Sequence, residues 1–339
     1  MTSETMPQMT SPQQPRVLVT GATGYIGSRL VPVLLETGHH VRVLTRSADR
    51  LRARNWADDV EVVEGDATSR RDLDTALAGV DVAYYLLHSM DGKDDFEHRD
   101  RELARTFGLA AQEAGVGRIV YLSGLHPNEG HLSTHLASRV EVGDLLMASG
   151  VPTVVLQAAI IIGSGSASFE MLRHLTKKLP VMVTPKWVNN RIQPIAIADV
   201  LHYLVGAATI KEDLNRSFDV GGPEVLTYRE MIQRYAKVAG LRPRTVRTVP
   251  VLTPGLASHW VGFVTPVPAG IAKPLVGSLI HEVVCQENDI DDVVGPPAGG
   301  PTPFDEAVRA ALGGRGKERP EPGTVDPAHL TAADPDWAG

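Results

Sequence analysis

Three glycines, Gly21, Gly24 and Gly27, punctuate the stretch VLVTGATGYIG that begins at Val17. The apolar run before them reads as a strand, and Leu30, Val31, Val33, Leu34 and Leu35 after them read as a helix. Strand, glycine turn and helix in that order form the context in which such a triplet holds a dinucleotide pyrophosphate. Gly21 can take a positive φ in the tight turn, and Gly27 lets the helix lie close to the strand. The unpaired N–H groups of the first helical turn then face the phosphates. Thr20, Gly21, Thr23, Gly24, Tyr25, Ile26 and Gly27 are therefore the candidate cofactor cradle.

A charge supplies the second piece of chemistry. About 20 positions beyond a glycine turn of this kind, an acidic residue usually binds the adenosine ribose hydroxyls. Here the run HVRVL is followed by Thr45, Arg46 and Ser47. A guanidinium pairs with phosphate through two parallel N–H bonds, so Arg46 points to the 2′-phosphate of NADP, with NADPH preferred and NAD admissible. The plainer reading of Arg46 is a solvated strand-end charge, and Arg42, on the face opposite Val41 and Val43, is a weaker candidate.

These residues need a scaffold. Apolar, β-branched runs at 16–20, 40–45, 60–64, 80–87, 118–123 and 153–162 alternate with helical patterns at 27–37, 70–78, 95–114 and 133–149. That alternation predicts βαβ units: an α/β fold with a doubly wound parallel (Rossmann) sheet and a smaller, interleaved C-terminal substrate lobe. Further helices are expected over 169–178, over 199–208, from Thr227 and over 304–312, with strands near 191–195 and 217–220. The expected partition is a disordered tail over 1–15, the nucleotide-binding core over 16–165 and the substrate lobe over 166–312, with 190–220 returning to the core. Dense proline, glycine and charge predict a disordered tail over 313–339.

Composition narrows the partners. Lys and Arg number 33 against 40 Asp and Glu, a net charge of −7, which argues against a nucleic-acid footprint. Cys285 is the single cysteine and no HExxH-like spacing occurs, so neither an internal disulfide nor a metal site is expected. Residues 1–15 are polar and lack the apolar stretch of a signal peptide, which predicts a cytoplasmic protein. Residues 249–280 are unusually apolar, but Pro254, Pro266, Pro268 and Pro274 interrupt them before the roughly 20 residues a spanning helix needs. A pocket lid or core element fits this segment best; an oligomer contact or a peripheral membrane contact is the less favoured reading.

The segments TGATGYIG, GDATSRRDLDTALAGVD (65–81), QPIAIADV (193–200) and FDVGGPEVLTYREM (218–231) carry a family likeness. Over about 16–240 the chain resembles the atypical, NmrA-like end of the extended short-chain dehydrogenase/reductase superfamily. The resemblance implies that Asp66 meets the adenine ring and that Leu86, Leu87 and His88 pass beneath the cofactor. It also places Ser123 where the family carries its serine. The family's Tyr-x-x-x-Lys pair is absent: in HLASRVEVGDLL its positions are occupied by His135 and Arg139. Residues four apart share a helix face. Arg139 can supply a fixed charge but not a tunable amine, and His135 is an acid–base candidate whose pKa a neighbouring arginine would lower. In the plainer alternative His135 is exposed and Arg139 is a ribose or surface contact.

Other polar residues fall on the same side of the predicted sheet: Ser89, His126 and His131. GSGSASFE (163–170) reads as a loop with a Ser168 cap, and Asp199 as the cap of its own helix. The expected function is NADP-dependent hydride transfer to or from a small, fairly apolar carbonyl, alcohol or activated alkene. Ser123 would polarise the substrate oxygen, with His135 or a water supplying the proton. The alternative, favoured by the missing tyrosine, is a non-catalytic NAD(P)H-binding redox sensor or scaffold. A sugar-nucleotide epimerase comes third.

Overall fold

The apolar runs fold as strands β1 (Arg16–Thr20), β2 (His40–Thr45), β3 (Glu61–Glu64), β4 (Val82–Tyr85), β5 (Arg118–Gly124) and β6 (Thr153–Ala158). Between them lie helices α1 (Tyr25–Glu36), α2 (Asp49–Arg52), α3 (Arg70–Leu77), α4 (Phe96–Glu113) and α5 (Thr134–Met147). The structure is a computed structural model that describes residues 14–52, 54–88, 96–127, 130, 132–249, 265–314 and 319–338. The second half adds β7 (Ile161–Ile162), α6 (Ala167–Lys178), β8 (Val181–Thr184), β9 (Arg191–Ile192), β10 (Ile195–Ala196), α7 (Ile197–Ala207), β11 (Arg216–Val220), β12 (Leu226–Thr227), α8 (Tyr228–Val238) and β13 (Thr245–Thr248). Helices α9 (Ala269–Ser278), α10 (Ile290–Val293) and α11 (Phe304–Leu312) follow.

Seven strands form the central sheet in the order β11–β6–β5–β4–β1–β2–β3, and every pairing is parallel. The chain winds outward from β1 to β3, crosses back to β4 beside β1, and then winds to the other edge. This is the expected Rossmann architecture, and its switch point lies at the carboxyl ends of β1 and β4, where such sheets bind ligands. Alternation along the strands feeds two cores. Val17 and Val19 pack with Leu30, Leu34 and Leu204 on one face. Leu18 packs with Tyr85, Phe107 and Tyr121 on the other. A third core joins Phe169 of α6, Met231 and Tyr235 of α8, and Val308 of α11 beyond the sheet.

Two apolar runs divide where the sequence reads them as single strands. Pro194, which has no N–H to give a ladder, separates β9 from β10; β9 pairs antiparallel with β12 while β10 pairs with β7. The run 153–162 splits into β6, inside the main sheet, and β7, which leaves it to meet β10.

The C-terminal expectation needs correction. Residues 319–338 are not a loose tail but a strap against α1 and α6. Arg29, only 2% exposed, donates to both carboxylate oxygens of Asp334 at 2.9 and 2.7 Å and to the carbonyls of Pro327, Ser164 and His329. Arg173 of α6 also donates to the Ala338 carbonyl. Composition registers proline, glycine and charge, but not one aspartate meeting one buried arginine 305 positions away.

Of the apolar segment 249–280, residues 250–264 lie outside the described residues, as do residues 1–13 of the N-terminal tail. Its remainder includes α9; Val267 just before the helix, and Ala272 and Val276 on it, are buried against Met171. His281, just after it, accepts the Ser133 N–H at the start of α5 at 3.1 Å. No helix among the described residues is long and apolar enough to cross a membrane.

Candidate functional site

The glycine turn is shaped by what surrounds it. Gly21 sits at φ +72°, and a Cβ there would stand 2.7 Å from the Leu86 carbonyl oxygen. A Cβ on Gly27 would come within 2.3 Å of the Gly21 carbonyl oxygen, so α1 can start this close to β1 only with glycine. The Thr20 hydroxyl donates to the Tyr84 carbonyl at 2.8 Å and accepts the Leu86 N–H at 3.2 Å, fastening β1 to the end of β4. Tyr25 and Ile26 pack inward against the first core, with the Arg29 guanidinium 4.1 Å over the Tyr25 ring. Burial raises the Tyr25 phenol above its ordinary range, so this side chain is a packing group.

A cavity of about 580 Å³ opens above the turn. Among the residues expected at a cofactor, Thr20, Gly21, Thr23, Arg46, Asp66, Leu87 and His88 line it. Gly24, Tyr25, Ile26, Gly27 and Leu86 stand behind this lining as the cradle's support. Asp66 accepts from the Thr68 N–H and hydroxyl, both at 2.8 Å. Those two bonds, then the Arg46 charge, hold its carboxyl below the usual carboxylate range. Arg50, on α2, faces the same cavity four residues after Arg46. Sequence reasoning missed it, although that spacing was the available signal. Arg42 belongs elsewhere: it is buried and donates to the Ala76 and Ala78 carbonyls at the end of α3.

At the other end of the cavity the chain leaves β4 at His88. Its Nδ1 lies 3.0 Å from Oδ2 of Asp100, a buried carboxylate on α4. His88 Nε2 is buried and meets no hydrogen-bond partner among the described residues. The His135 ring of α5 lies 5.0 Å from the His88 ring, centroid to centroid. Burial is the chief force lowering both pKa values. His135 is pushed down to about 3, with His88 and Arg139 adding to the effect. In His88, Arg139 also lowers the value while Asp100 opposes it.

Arg139 does not stand free: its guanidinium donates to the Leu122 carbonyl and lies 5.1 Å from the Tyr121 ring centroid. Ser123, 4% exposed, donates its hydroxyl to the Arg139 carbonyl at 3.3 Å, and neither it, His135 nor Arg139 is among the residues lining the cavity. The fold thus brings His88, His135 and Arg139 together and adds Asp100, which sequence reasoning missed.

Other candidates are occupied with structure. Ser164 donates to the Ala311 carbonyl, Ser168 lies inside α6 while Ser166 holds the N-cap position without a side-chain cap bond, and the Gly165 N–H reaches Glu170. Asp199 lies inside α7 and accepts from the N–H and hydroxyl of Thr302 at 2.8 and 2.9 Å. His126 Nε2 is 3.1 Å from Gln157. Ser89 and His131 lie outside the described residues. A dinucleotide fits what remains: a turn without room for side chains, two arginines at one end, and at the other a buried ring nitrogen with no partner among the described residues.

Comparison with known proteins agrees with this geometry. The sequence profile described as NAD(P)H-binding matches residues 21–163. The chain is 30% identical over 265 residues to the ceramide reductase of Caulobacter vibrioides, covering 76% of this chain and 82% of that protein. It is 31% identical over 232 residues to the (4-alkanoyl-5-oxo-2,5-dihydrofuran-3-yl)methyl phosphate reductase of Streptomyces griseus, covering 66% and 74%. The chain belongs to the NAD(P)H-binding, atypical short-chain dehydrogenase/reductase family. Among solved structures, the Citrobacter sp. triphenylmethane reductase complexed with NADP(H) superposes with a TM-score of 0.68 at 19% identity, over 88% of this chain and 100% of that one. The NADPH-dependent quinone oxidoreductase of Escherichia coli, complexed with NADPH, gives 0.67 at 20% identity, over 86% and 98%. At these identities the two structures establish the shared fold.

Proposed function

We propose that the protein is an NADP(H)-dependent oxidoreductase, cytoplasmic, acting on a small, fairly apolar carbonyl or alcohol. The observation that carries this reading is the pair Arg46 and Arg50 on one cavity whose floor is the glycine turn. Two cations suit a 2′-phosphate, whereas ribose hydroxyls are usually met by a carboxylate. The reductase names of the relatives in Caulobacter and Streptomyces support the reaction class. When bound, the cofactor supplies the hydride chemistry. Within this proposal the turn N–H groups and Thr23 hold the pyrophosphate, Arg46 and Arg50 the 2′-phosphate, and Asp66 the adenine side. His135, packed against the cavity-lining His88, is the group nearest to a substrate oxygen in this proposal, with Arg139 four residues on along α5.

Titration with NADPH and NADH, read by tryptophan-to-nicotinamide energy transfer, tests the proposal. Losing one charge-assisted phosphate contact is worth about tenfold or more in affinity, so Arg46→Ala should weaken NADPH by that factor and leave NADH unchanged. Equal loss for both nucleotides would remove the NADP preference. A second reading, a redox sensor without turnover, draws on the engaged Ser123 hydroxyl and the missing tyrosine. NADPH binding with no oxidation across a broad carbonyl panel would favour it.

A further inference from the structure

We propose that His88, its ring oriented by Asp100, is the acid–base group of this site and that its Nε2 takes the proton of a substrate hydroxyl. The inference rests on the oxidoreductase reading and assigns to His88 the proton transfer for which the sequence nominates Ser123 and His135.

An ionised carboxylate can only accept, so the 3.0 Å contact with Asp100 places the ring hydrogen on Nδ1 and leaves the lone pair on Nε2. His88 lines the cavity, yet Nε2 is buried without a partner among the described residues. A buried acceptor in that condition costs about 1–3 kcal/mol until a donor arrives, and a bound hydroxyl is such a donor. The charged and titratable groups around the ring are Asp100 from α4 and His135 and Arg139 from α5, with His98, Arg99 and Glu102 sharing the cavity. Burial and Arg139 oppose protonation of the ring, and Asp100 alone favours it, so the resting imidazole is neutral and accepts. Ser123 is less suited, because its hydroxyl already donates to the Arg139 carbonyl.

In the oxidising direction the alcohol O–H bond breaks and its proton passes to Nε2. The C–H pair departs as hydride to the oxidised nicotinamide while the C=O bond forms, and the imidazolium, steadied by Asp100, returns its proton to solvent. Reduction is the reverse, with one proton drawn from solvent through His88.

The test uses the full chain labelled with 15N-histidine, without substrate. Ring 15N–1H correlation should find His88, assigned by loss of its signals in His88→Gln, as the Nδ1–H tautomer and protonating only below the range of a free imidazole. Asp100→Asn, whose amide can donate to Nδ1, should invert the tautomer to Nε2–H. In parallel, NADPH binding and reduction of 9,10-phenanthrenequinone are followed. In both variants turnover at saturating NADPH should fall about a hundredfold, as for loss of a general acid or base. The wild-type decline of reduction with rising pH should vanish in His88→Gln. An Nε2–H tautomer in the wild type, or full turnover in His88→Gln, would overturn the assignment and leave the cofactor reading intact. Absence of NADPH binding in the wild type would sink the oxidoreductase reading instead, and the tautomer spectrum would still decide the geometry.

Discussion

On α5, His135 lies four residues before Arg139 and against His88, and its pKa falls from near 6.5 to about 3, chiefly through burial. Because the folded value lies below the unfolded one, the unfolded chain binds a proton first as the pH drops. The stability that neutral His135 contributes is complete above pH 6.5 and is lost as the pH falls toward 3. His135→Phe should therefore flatten the decline of Tm between pH 7 and 4 relative to the wild type. An unchanged decline would mean that the ring is solvated after all. At this scale the sequence displayed part of the candidate site: the glycine turn and Arg46 at the cavity, and the pair at 135 and 139 that packs beside His88. It could not display Asp100. In FEHRDRELAR nothing separates that carboxylate from Glu97 or Glu102 until α4 packs over the sheet and buries one of the three.

Element by element, local rules carry most of the weight. The turn into α1 tolerates no side chain at Gly27, where a Cβ would sit 2.3 Å from the Gly21 carbonyl oxygen. Gly27→Ala is expected to cost about 1–3 kcal/mol of stability by overpacking and to abolish NADPH binding, as denaturant melts and fluorescence titration would register. At α8, whose N-cap is the expected Thr227, Thr227 and Glu230 form a capping box: the Thr227 N–H meets the Glu230 carboxylate at 2.7 Å. Thr227→Ala should lower stability by about 1 kcal/mol without touching cofactor affinity. Such elements were readable because their signals lie within four residues of one another. The β6–β7 break was not, since β7 leaves the sheet for the sake of β10, a strand 34 residues further on in the register Ile161 to Ile195.

For the molecule as a whole, one buried contact joins the first helix to the C-terminal strap. Asp334 and Arg29 are almost completely buried as an ion pair, and Arg29 belongs to the helix that opens at the glycine turn. Removing one partner strands the other charge, so Asp334→Ala should cost about 3–5 kcal/mol in a urea melt. Truncation after residue 318 should do at least as much and should also weaken NADPH binding by loosening α1. A truncated chain with wild-type stability would show the strap to be ornamental. By itself, the sequence determined the alternation of strands and helices, the glycine turn at 21–27 and the cation after β2, because periodicity, backbone freedom and charge are local properties. Only the tertiary structure decided that Asp100 orients His88, that Ser123 turns away toward α5 and that the last residues fasten α1. Those outcomes depend on which distant groups share a desolvated space, and burial is a property of the assembled fold rather than of any stretch of chain.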